Sequence, residues 1–466
     1  MPYKNLTIRL SISIFLFNLI FTQSAWALGS SGFENASYSA ESIAQGNAVV
    51  ARPDDPDAVV FNPAGLPDLK GVQFSGSLAG INTFTFFTSK ATGDHEKNVP
   101  QLVLFPTLYV TANPGKLLDD RVGIGVGMTS PFGLANRYPS IGNIAQYVGY
   151  HNSLRMVALT IAGGVKIFDK LSVGAGAVDY ITYKYDQIFN FPNSFLLSGV
   201  IPGNTFPDGL ARTDTDGYGW GWILSALAKP TKKHRLGFYY RSRATVDVDG
   251  NLKIENINPL LGGTFPTTPN FQTGVHSEIP LPSNLTFAYA YVPSDKWAIE
   301  FDLGYTRWSV FKDQDFAFDQ PNAILLALGR IPKDFNDSWS FNLGGHYQFN
   351  KKLDLMGGAF FYTAAEPKDH FTAVIPDANR LGGTFGFRYN ITEKASLDLA
   401  YAAIYYLRRQ ISNPTVQNNT GLSIDGRYTS FLQEFMVTFT YRFDLPFLEK
   451  GGDKEFRRSS DQKHEY

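Results

Sequence analysis

The chain has 466 residues and a formal net charge of -1, so no global electrostatic field draws it to nucleic acid or to an acidic partner. Charged residues make up 18% and aromatic residues 15%, where an average soluble domain has about 25% charged residues, and this balance indicates one surface in lipid and another in water. Cysteine is absent and the seven His form no paired ligand motif, so we expect neither a metal site nor a cofactor.

Residues 1–27 have the pattern of a secretory signal peptide. Lys4 and Arg9 precede an apolar run at residues 10–21, and the small-residue pattern read by signal peptidase ends at Ala27. An apolar run of about a dozen residues is too short to span a bilayer as a helix, although an uncleaved anchor is the alternative. We expect cleavage after Ala27.

Residues 28–70 form a compact segment of small and apolar residues ahead of the first predicted strand. The segment contains S-I-A-Q-G-N-A-V-V-A at 42–51 and D-A-V-V-F-N-P-A-G-L at 57–66. Small residues allow short helices to pack tightly, and N-P-A-G ends such a helix in a turn. A segment of this kind suits a hatch that fills the inside of a wide barrel.

The remainder of the chain alternates with a period of two, which predicts β-strands. In S-W-S-F-N-L-G-G-H-Y-Q-F at 338–349, large apolar side chains occupy one face and polar side chains the other. The same pattern recurs at 297–306, 384–390, 396–401 and 434–443. A soluble antiparallel sandwich also alternates, but its strands are usually shorter, about five or six residues.

The connections favour a membrane barrel over a sandwich. Roughly fourteen strand candidates lie between Gly71 and Phe443, and short turns alternate with long loops, as in outer-membrane barrels. No later stretch approaches the ~18 apolar residues of a membrane helix. We therefore predict an all-β fold, a fourteen-stranded antiparallel transmembrane β-barrel at 71–443, plugged by a small N-terminal helical hatch. Residues 444–466 form a charged tail that we expect to be disordered.

Three of the long loops are unusually apolar, at 191–210, 258–265 and 316–331. Phe195, Leu196 and Leu197 lie in the first, and Leu260 and Leu261 lie in the second. Exposed apolar patches usually mark binding sites, so we predict an external groove for hydrophobic ligands. The alternative is that the loops pack on one another as a lid, and a packed lid with a groove satisfies both interpretations.

Strand phase places several charged side chains in the barrel lumen. A carboxylate ligand would need a cation among them, and Lys184 and Arg388 are the candidates; the alternative is that these charges only pair with one another. Glu300 and Asp302 have the residue types of an acid/base pair, but no nucleophile or metal motif accompanies them, and no G-x-S-x-G occurs, so we predict no enzyme. The full set is Lys184, Asp186, Arg241, Arg243, Glu300, Asp302, Arg388, Asp398 and Arg442.

A series of short motifs resembles the FadL family of outer-membrane transporters for long-chain fatty acids and other hydrophobic compounds. The most specific is Asn62-Pro63-Ala64, which Gly32-Phe33 precedes by about thirty residues at the expected mature N-terminus. The others, in order, are P-T-L-Y-V at 106–110, T-S-P-F-G-L at 129–134, L-P-S-N at 281–284, W-A-I-E-F-D-L-G-Y-T-R-W-S at 297–309 and I-P-D-A-N-R at 375–380.

The resemblance implies a location and a route. The location is the outer membrane of a Gram-negative bacterium, among its lipid and lipopolysaccharide, as a monomer. Ligand lands in the external groove and passes to an inner site at the hatch, which Phe33 and residues 62–65 (Asn62, Pro63, Ala64 and Gly65) represent here. It leaves sideways at a kink in the third strand, at Ser130 and Gly133, facing Leu108. Pro131 indicates a break there independently, because proline cannot donate to a strand ladder.

The function expected from this resemblance is passive uptake of long-chain fatty acids. Some family members carry a basic residue where this chain has Asn336, although Lys333 lies just upstream. Uptake of uncharged aromatic or alkane hydrocarbons by the same route is therefore the alternative. A general porin is a different class, and the apolar loops and the hatch argue against it.

Overall fold

Fourteen antiparallel wall strands close into a barrel. The computed structural model describes residues 32–443 except 143–144, 148, 199–200, 266 and 413–423. The strands are β1 Val72–Ser89, β2 Leu102–Ala112, β3 Val122–Thr129 with Gly133–Arg137, β4 His151–Phe168, β5 Leu171–Phe191, β6 Gly209–Ala228, β7 His234–Arg241 with Ala244–Glu255, β8 Phe271–Leu281 with Asn284–Ser294, β9 Trp297–Thr306, β10 Ser338–Asn350, β11 Leu353–Tyr362, β12 Arg380–Asn390, β13 Ala395–Ile411 and β14 Gly426–Phe443. Full-length pairing of β14 with β1, from Val72 opposite Phe443 to Ser89 opposite Gly426, closes the wall and confirms the predicted fold.

The period-two pattern separates an apolar outer face from a packed inner face. On β10 the outer face carries exposed Trp339, Phe341 and Leu343, whereas Ser338 and Asn342 on the inner face are buried. Large apolar side chains on the outside of a closed barrel are in contact with lipid, and pairing of β14 with β1 leaves neither terminal strand with a free edge.

Short turns and long loops lie at opposite ends of the barrel, as the sequence predicts. The turns 169–170, 229–233, 295–296, 351–352 and 391–394 are at one end. At 351–352, the Asn350 side chain accepts hydrogen bonds from the amides of Lys352 and Leu353, which fixes the reversal locally. The long loops carry the helices Asn193–Leu197 and Ala323–Leu328, the 3₁₀ turns Pro259–Leu261 and Trp308–Val310, and the short strands His95–Lys97, Asp313–Phe318 and Arg330–Pro332.

The hatch lies inside the barrel before β1 begins. It contains the helices α1, Ala40–Ala44, and α2, Ala58–Phe61, followed by a 3₁₀ turn at Pro63–Asp68. A capping box starts α1, because Ser39 and Ser42 each accept a hydrogen bond from the other's backbone amide. Helices this short are marginal in water, so packing against the wall must hold them in place.

The described residues contain no helix long and apolar enough to cross a membrane. They also contain no group of three or more side chains arranged to hold a metal ion. The predicted signal peptide and the predicted C-terminal tail both lie outside the described residues.

Candidate functional site

The N-P-A-G motif docks the hatch on the wall. The Asn62 side chain donates to the carbonyl of Val50 at 2.7 Å and to that of Ala226 at 3.3 Å, and the Ala64 amide donates to the Ser225 hydroxyl at 3.0 Å. The bonds to Ala226 and Ser225 join the motif to β6. Residues that sequence reasoning placed at a ligand site therefore hold the hatch in position.

Glycines in the wall make room for this docking. A Cβ at Gly164 would overlap the carbonyl oxygen of Pro63, and a Cβ at Gly174 would overlap the backbone of Pro63 and Ala64. Within the hatch, a Cβ at Gly65 would overlap the ring of Pro53. The backbones thus approach more closely than any larger residue permits.

Arg388 lies in the lumen, where it anchors the hatch. Its guanidinium donates to Asp398 on β13 at 2.6 and 2.8 Å, and to Glu41 and Asp55 of the hatch at 2.8 Å each. The sequence suggested Arg388 as the partner of a ligand carboxylate, but three carboxylates of the protein already surround it.

Two inward carboxylates hold the hatch backbone. Glu300 accepts a hydrogen bond from the Ala51 amide at 2.5 Å, and Asp302 accepts from the amides of Val49 and Val50 at 3.2 Å each. These two lumen charges of the sequence-based set thus bind the hatch, whereas Arg388 and Asp398 of the same set pair with each other, as the alternative interpretation predicts.

The prediction that Lys184 faces the lumen is wrong, because a β-bulge inverts the strand phase. The register of β5 against β6 shifts between Thr182 and Tyr185. Thr182 is buried and Tyr185 packs against the core cluster around Phe33, so both face inward although they are three residues apart. Lys184 therefore points away from that core.

Arg243 is misplaced by the same mechanism. The two segments of β7 are interrupted after Arg241, and both Arg241 and Ala244 are buried, three residues apart. Arg243 is exposed. An added residue again moves the following side chain to the opposite face.

Strand pairing between β2 and β3 ends at Leu108. Register pairing between these strands runs from Ala112 opposite Ile124 to Leu108 opposite Met128 and stops there. The second segment of β3, Gly133–Arg137, pairs with β4. Ser130 and Pro131 thus lie at a break in the strand, as the proline indicates from the sequence, and the described residues give β2 no register pairing with β3 from 102 to 107.

The N-terminal part of the hatch occupies this break. The Asn35 amide donates to the carbonyl of Pro131 at 2.7 Å, and its side chain donates to that of Ser130 at 3.0 Å. In the other direction, the Gly133 amide donates to the carbonyl of Phe33 at 3.0 Å. Hatch residues 33–35 therefore satisfy backbone groups that a broken strand would otherwise leave unpaired.

Phe33 lies in an aromatic cluster above the break. Its ring is 5.0 Å from Trp308, 5.9 Å from Phe311 and 5.9 Å from Phe132, between ring centroids. Gly32 has φ 57°, and a Cβ there would come within 2.9 Å of the Trp308 ring, so only glycine fits. Sequence reasoning placed Trp308 within a family motif but assigned no role to it.

A cavity lies between the hatch and the wall. Buried Arg241 pairs there with Glu34, Nη2 to Oε1 at 2.5 Å, and its guanidinium lies 4.9 Å from the centre of the Phe132 ring. Sequence reasoning placed Arg241 in the lumen but assigned no function to it or to Glu34. The lining comprises Glu34, Ala36, Tyr38, Asn47, Val50, Val60, Phe61, Tyr239, Arg241, Asn284, Thr286, Asp302, Ser340, Asn342 and Tyr362.

The apolar loops pack on one another and leave part of their surface exposed. Leu197 and Leu261 are buried in one cluster with Phe265, and Leu196 packs against it. Phe195 is 39% exposed and Leu260 59% exposed. The lid and the exposed apolar surface, which the sequence left as alternatives, coexist.

Lys333 is buried in the loop between β9 and β10. Burial lowers the pKa of its ammonium, and the nearby carboxylate of Glu366 acts in the opposite direction. Burial raises the pKa of Glu366 well above its usual range, against the opposing influence of Lys333 and Arg409. The two side chains lie in different external loops, which the Asn336 amide joins by donating to the carbonyl of Ala365 at 2.8 Å.

A lipid-facing barrel with an internal hatch and an apolar external surface defines a class: outer-membrane transporters, as distinct from open porins. The family model described as "Outer membrane protein transport protein (OMPP1/FadL/TodX)" matches residues 19–443, and the chain belongs to this family. It is therefore a non-enzymatic transporter of hydrophobic compounds across the outer membrane of a Gram-negative bacterium, which confirms the predicted family, location and absence of enzymatic activity.

Curated relatives are similar over most of their length. The chain is 26% identical to the long-chain fatty acid transport protein of Escherichia coli O6:H1, over 91% of this chain and 96% of the relative. It is 24% identical to outer membrane protein P1 of Haemophilus influenzae, over 77% and 81%.

Solved structures show the same fold. A FadL homologue of Pseudomonas aeruginosa superposes with a TM-score of 0.76 at 18% identity, covering 89% of this chain and all of that one. The toluene transporter TodX of Pseudomonas putida superposes with a TM-score of 0.67 at 20% identity, covering 88% and 99%. At these identities the likeness establishes architecture alone.

Proposed function

We propose that this protein mediates passive uptake of long-chain fatty acids. The external loops capture the acyl chain, the ligand moves to a site beside the hatch, and it leaves sideways at the break in β3. The observation that carries this proposal is the buried guanidinium of Arg241, which lines a cavity between the hatch and the wall. A cation at this position suits a carboxylate headgroup.

Capture depends on apolar area. Phe195 and Leu260 present exposed side chains on the packed loops. Burial contributes ~0.8 kcal/mol per methylene, so covering about eight methylenes gives roughly 6 kcal/mol before the cost of ordering the chain. We expect Phe195→Ser with Leu260→Ser to reduce palmitate uptake at limiting concentration without changing the thermal stability of the barrel.

We assign the inner site to Arg241, in place of Lys184 and Arg388, the two cations that the sequence suggested. Lys184 points away from the core, and Arg388 is held by three carboxylates, whereas Arg241 borders open space. The aromatic cluster around Phe33 would receive the adjoining part of the acyl chain.

The exit is the gap between β2 and β3. Leu108 marks the end of strand pairing, and Ser130, Pro131 and Gly133 border the opening. Because hatch residues 33–35 fill the break, release requires them to move. A lateral path delivers an apolar molecule to the membrane interior and avoids the aqueous lumen. We expect the barrel to act as a monomer among outer-membrane lipid and lipopolysaccharide.

Uptake of uncharged aromatic hydrocarbons is the second candidate. The aromatic cluster of Phe33, Trp308, Phe311 and Phe335 favours it, since such a surface binds a planar apolar ring without needing a cation.

Binding of radiolabelled palmitate and toluene to the purified protein tests the proposal. Saturable palmitate binding, weakened in Arg241→Gln, is expected for a fatty acid transporter. Toluene binding that is indifferent to this substitution, with no saturable palmitate binding, would assign the protein to hydrocarbon uptake. Planar bilayers provide a further check, because a steady large conductance would indicate an open porin.

A further inference from the structure

We infer that Glu34 is an internal competitor for the ligand's carboxylate and that its displacement from Arg241 unlatches the hatch from the break in β3. The inference rests on the proposed function, since it concerns ligands that carry a carboxylate. It assigns a role to a pair of residues, one in the hatch and one in the wall, that meet only in the folded barrel.

The pair is enclosed. The side chain of Arg241 is 6% exposed and that of Glu34 is 7% exposed, and their atoms Nη2 and Oε1 are 2.5 Å apart. Both residues line the cavity, together with Tyr38 and Tyr239. Separating two charges in such a place is unfavourable unless another partner replaces the one that leaves.

Arg241 retains unused binding capacity. Its Nε is buried and has no hydrogen-bond partner among the described residues. Guanidinium binds carboxylate most strongly through two parallel N–H bonds, and a free Nε beside a bound Nη2 is half of such a fork. A carboxylate that enters the cavity can therefore offer Arg241 a bond that Nε lacks in the closed state.

Glu34 belongs to hatch residues 33–35, which fill the break in β3. It forms an isolated β-bridge with Phe132, in the middle of the break. Its neighbours Phe33 and Asn35 make the backbone hydrogen bonds to Gly133 and Pro131. Glu34 cannot leave Arg241 for water without disturbing the segment that fills the gap.

Charge thus determines which ligands open the barrel. An incoming carboxylate replaces Glu34 on Arg241, and the displaced carboxylate moves toward solvent because a buried charge that loses its guanidinium is costly in the interior. An alcohol of the same chain length gains the same apolar contacts but has no charge with which to displace Glu34. It binds without unlatching the hatch.

The experiment compares palmitate with hexadecan-1-ol on full-length protein. Because the chain has no cysteine, Ala36→Cys introduces a single thiol beside Glu34 in the hatch, and its maleimide labelling rate reports release of this segment. We expect palmitate, but not hexadecan-1-ol, to accelerate labelling.

Glu34→Gln removes the competitor and keeps the side-chain size. We expect it to bind palmitate about tenfold more tightly, because a larger fraction of the protein is binding-competent. In this background the thiol introduced by Ala36→Cys should react rapidly without ligand, and the affinity for hexadecan-1-ol should stay constant. Arg241→Gln should weaken palmitate binding and leave hexadecan-1-ol binding unchanged.

Matched controls are nearby. Arg243→Gln removes an exposed cation two residues away, and Glu278→Gln removes an exposed carboxylate on β8; neither should change palmitate affinity or labelling. Since Arg241→Gln leaves Glu34 buried without the guanidinium, Glu34→Gln with Arg241→Gln serves as the folded reference, lacking both charges.

Unchanged palmitate affinity and labelling in Glu34→Gln would overturn the inference, as would equal acceleration of labelling by hexadecan-1-ol. Absence of palmitate binding to the wild type would instead refute the proposed function. In that case the ligand-free labelling rate of Glu34→Gln still decides whether the pair latches the hatch.

Discussion

Removing the guanidinium of Arg388 should free the hatch while the barrel stays intact. Arg388→Gln leaves Asp398, Glu41 and Asp55 without the cation that bonds all three. Breaking a buried ion pair from one side costs about 3–5 kcal/mol, and even 3 kcal/mol changes an equilibrium about a hundredfold. Because two of these carboxylates belong to the hatch and the wall strands close independently, we expect the cost to fall on hatch docking.

Planar-bilayer conductance measures this effect. Wild-type protein should be mostly closed, and Arg388→Gln should show frequent open events, with cold sodium dodecyl sulfate gels confirming a folded barrel. Lys351→Gln, in a periplasmic turn, is the matched control for loss of a cation. Glu41→Gln added to Arg388→Gln and Asp398→Asn should restore closure by removing two of the unpaired charges.

The same variants separate a structural anchor from a ligand site. If Arg388 binds the carboxylate of the ligand, the triple variant, which keeps only Asp55 of the four charges, should lose palmitate binding although the hatch is closed. If Arg388 only anchors the hatch, as we expect, the triple variant should bind palmitate like the wild type. Closed channels in Arg388→Gln would contradict the anchoring role.

The hatch and the loops should respond to three further perturbations. Phe33→Ala should weaken seating of the hatch N-terminus by about 3–5 kcal/mol through lost aromatic packing and raise channel opening, whereas Phe74→Ala, on the lipid-facing surface, should not. Gly174→Ala should displace the N-P-A-G turn and expose the hatch to added protease, and normal protease resistance would show that the close approach is dispensable. Burial raises the pKa of Glu366, so its contribution to loop order is full below its unfolded-state pKa and is lost as pH rises through the higher folded pKa. Amide exchange in the loop 363–379, corrected for intrinsic rates, should accelerate over that window and become independent of pH in Glu366→Gln; the same pH response in this variant would disprove the assignment.

Local sequence signals were sufficient to predict the barrel and its location. In a strand between lipid and a packed lumen, apolar and polar side chains must alternate at every residue. The residues on the outer face of β10 can therefore be predicted from the sequence alone. Turn chemistry at Asn350 and proline at position 131 are local as well, because they act through the backbone of adjacent residues. The family motifs predicted the same architecture.

The folded barrel was needed to show which side chains face the path and which are already bound. Alternation places side chains only while the register is regular, and one added residue turned Lys184 and Arg243 outward. The partners of Arg388 and Arg241 lie in the hatch, 333 and 207 residues away for the pairs with Asp55 and Glu34. No local pattern encodes such contacts, because they exist only after the wall closes around the hatch.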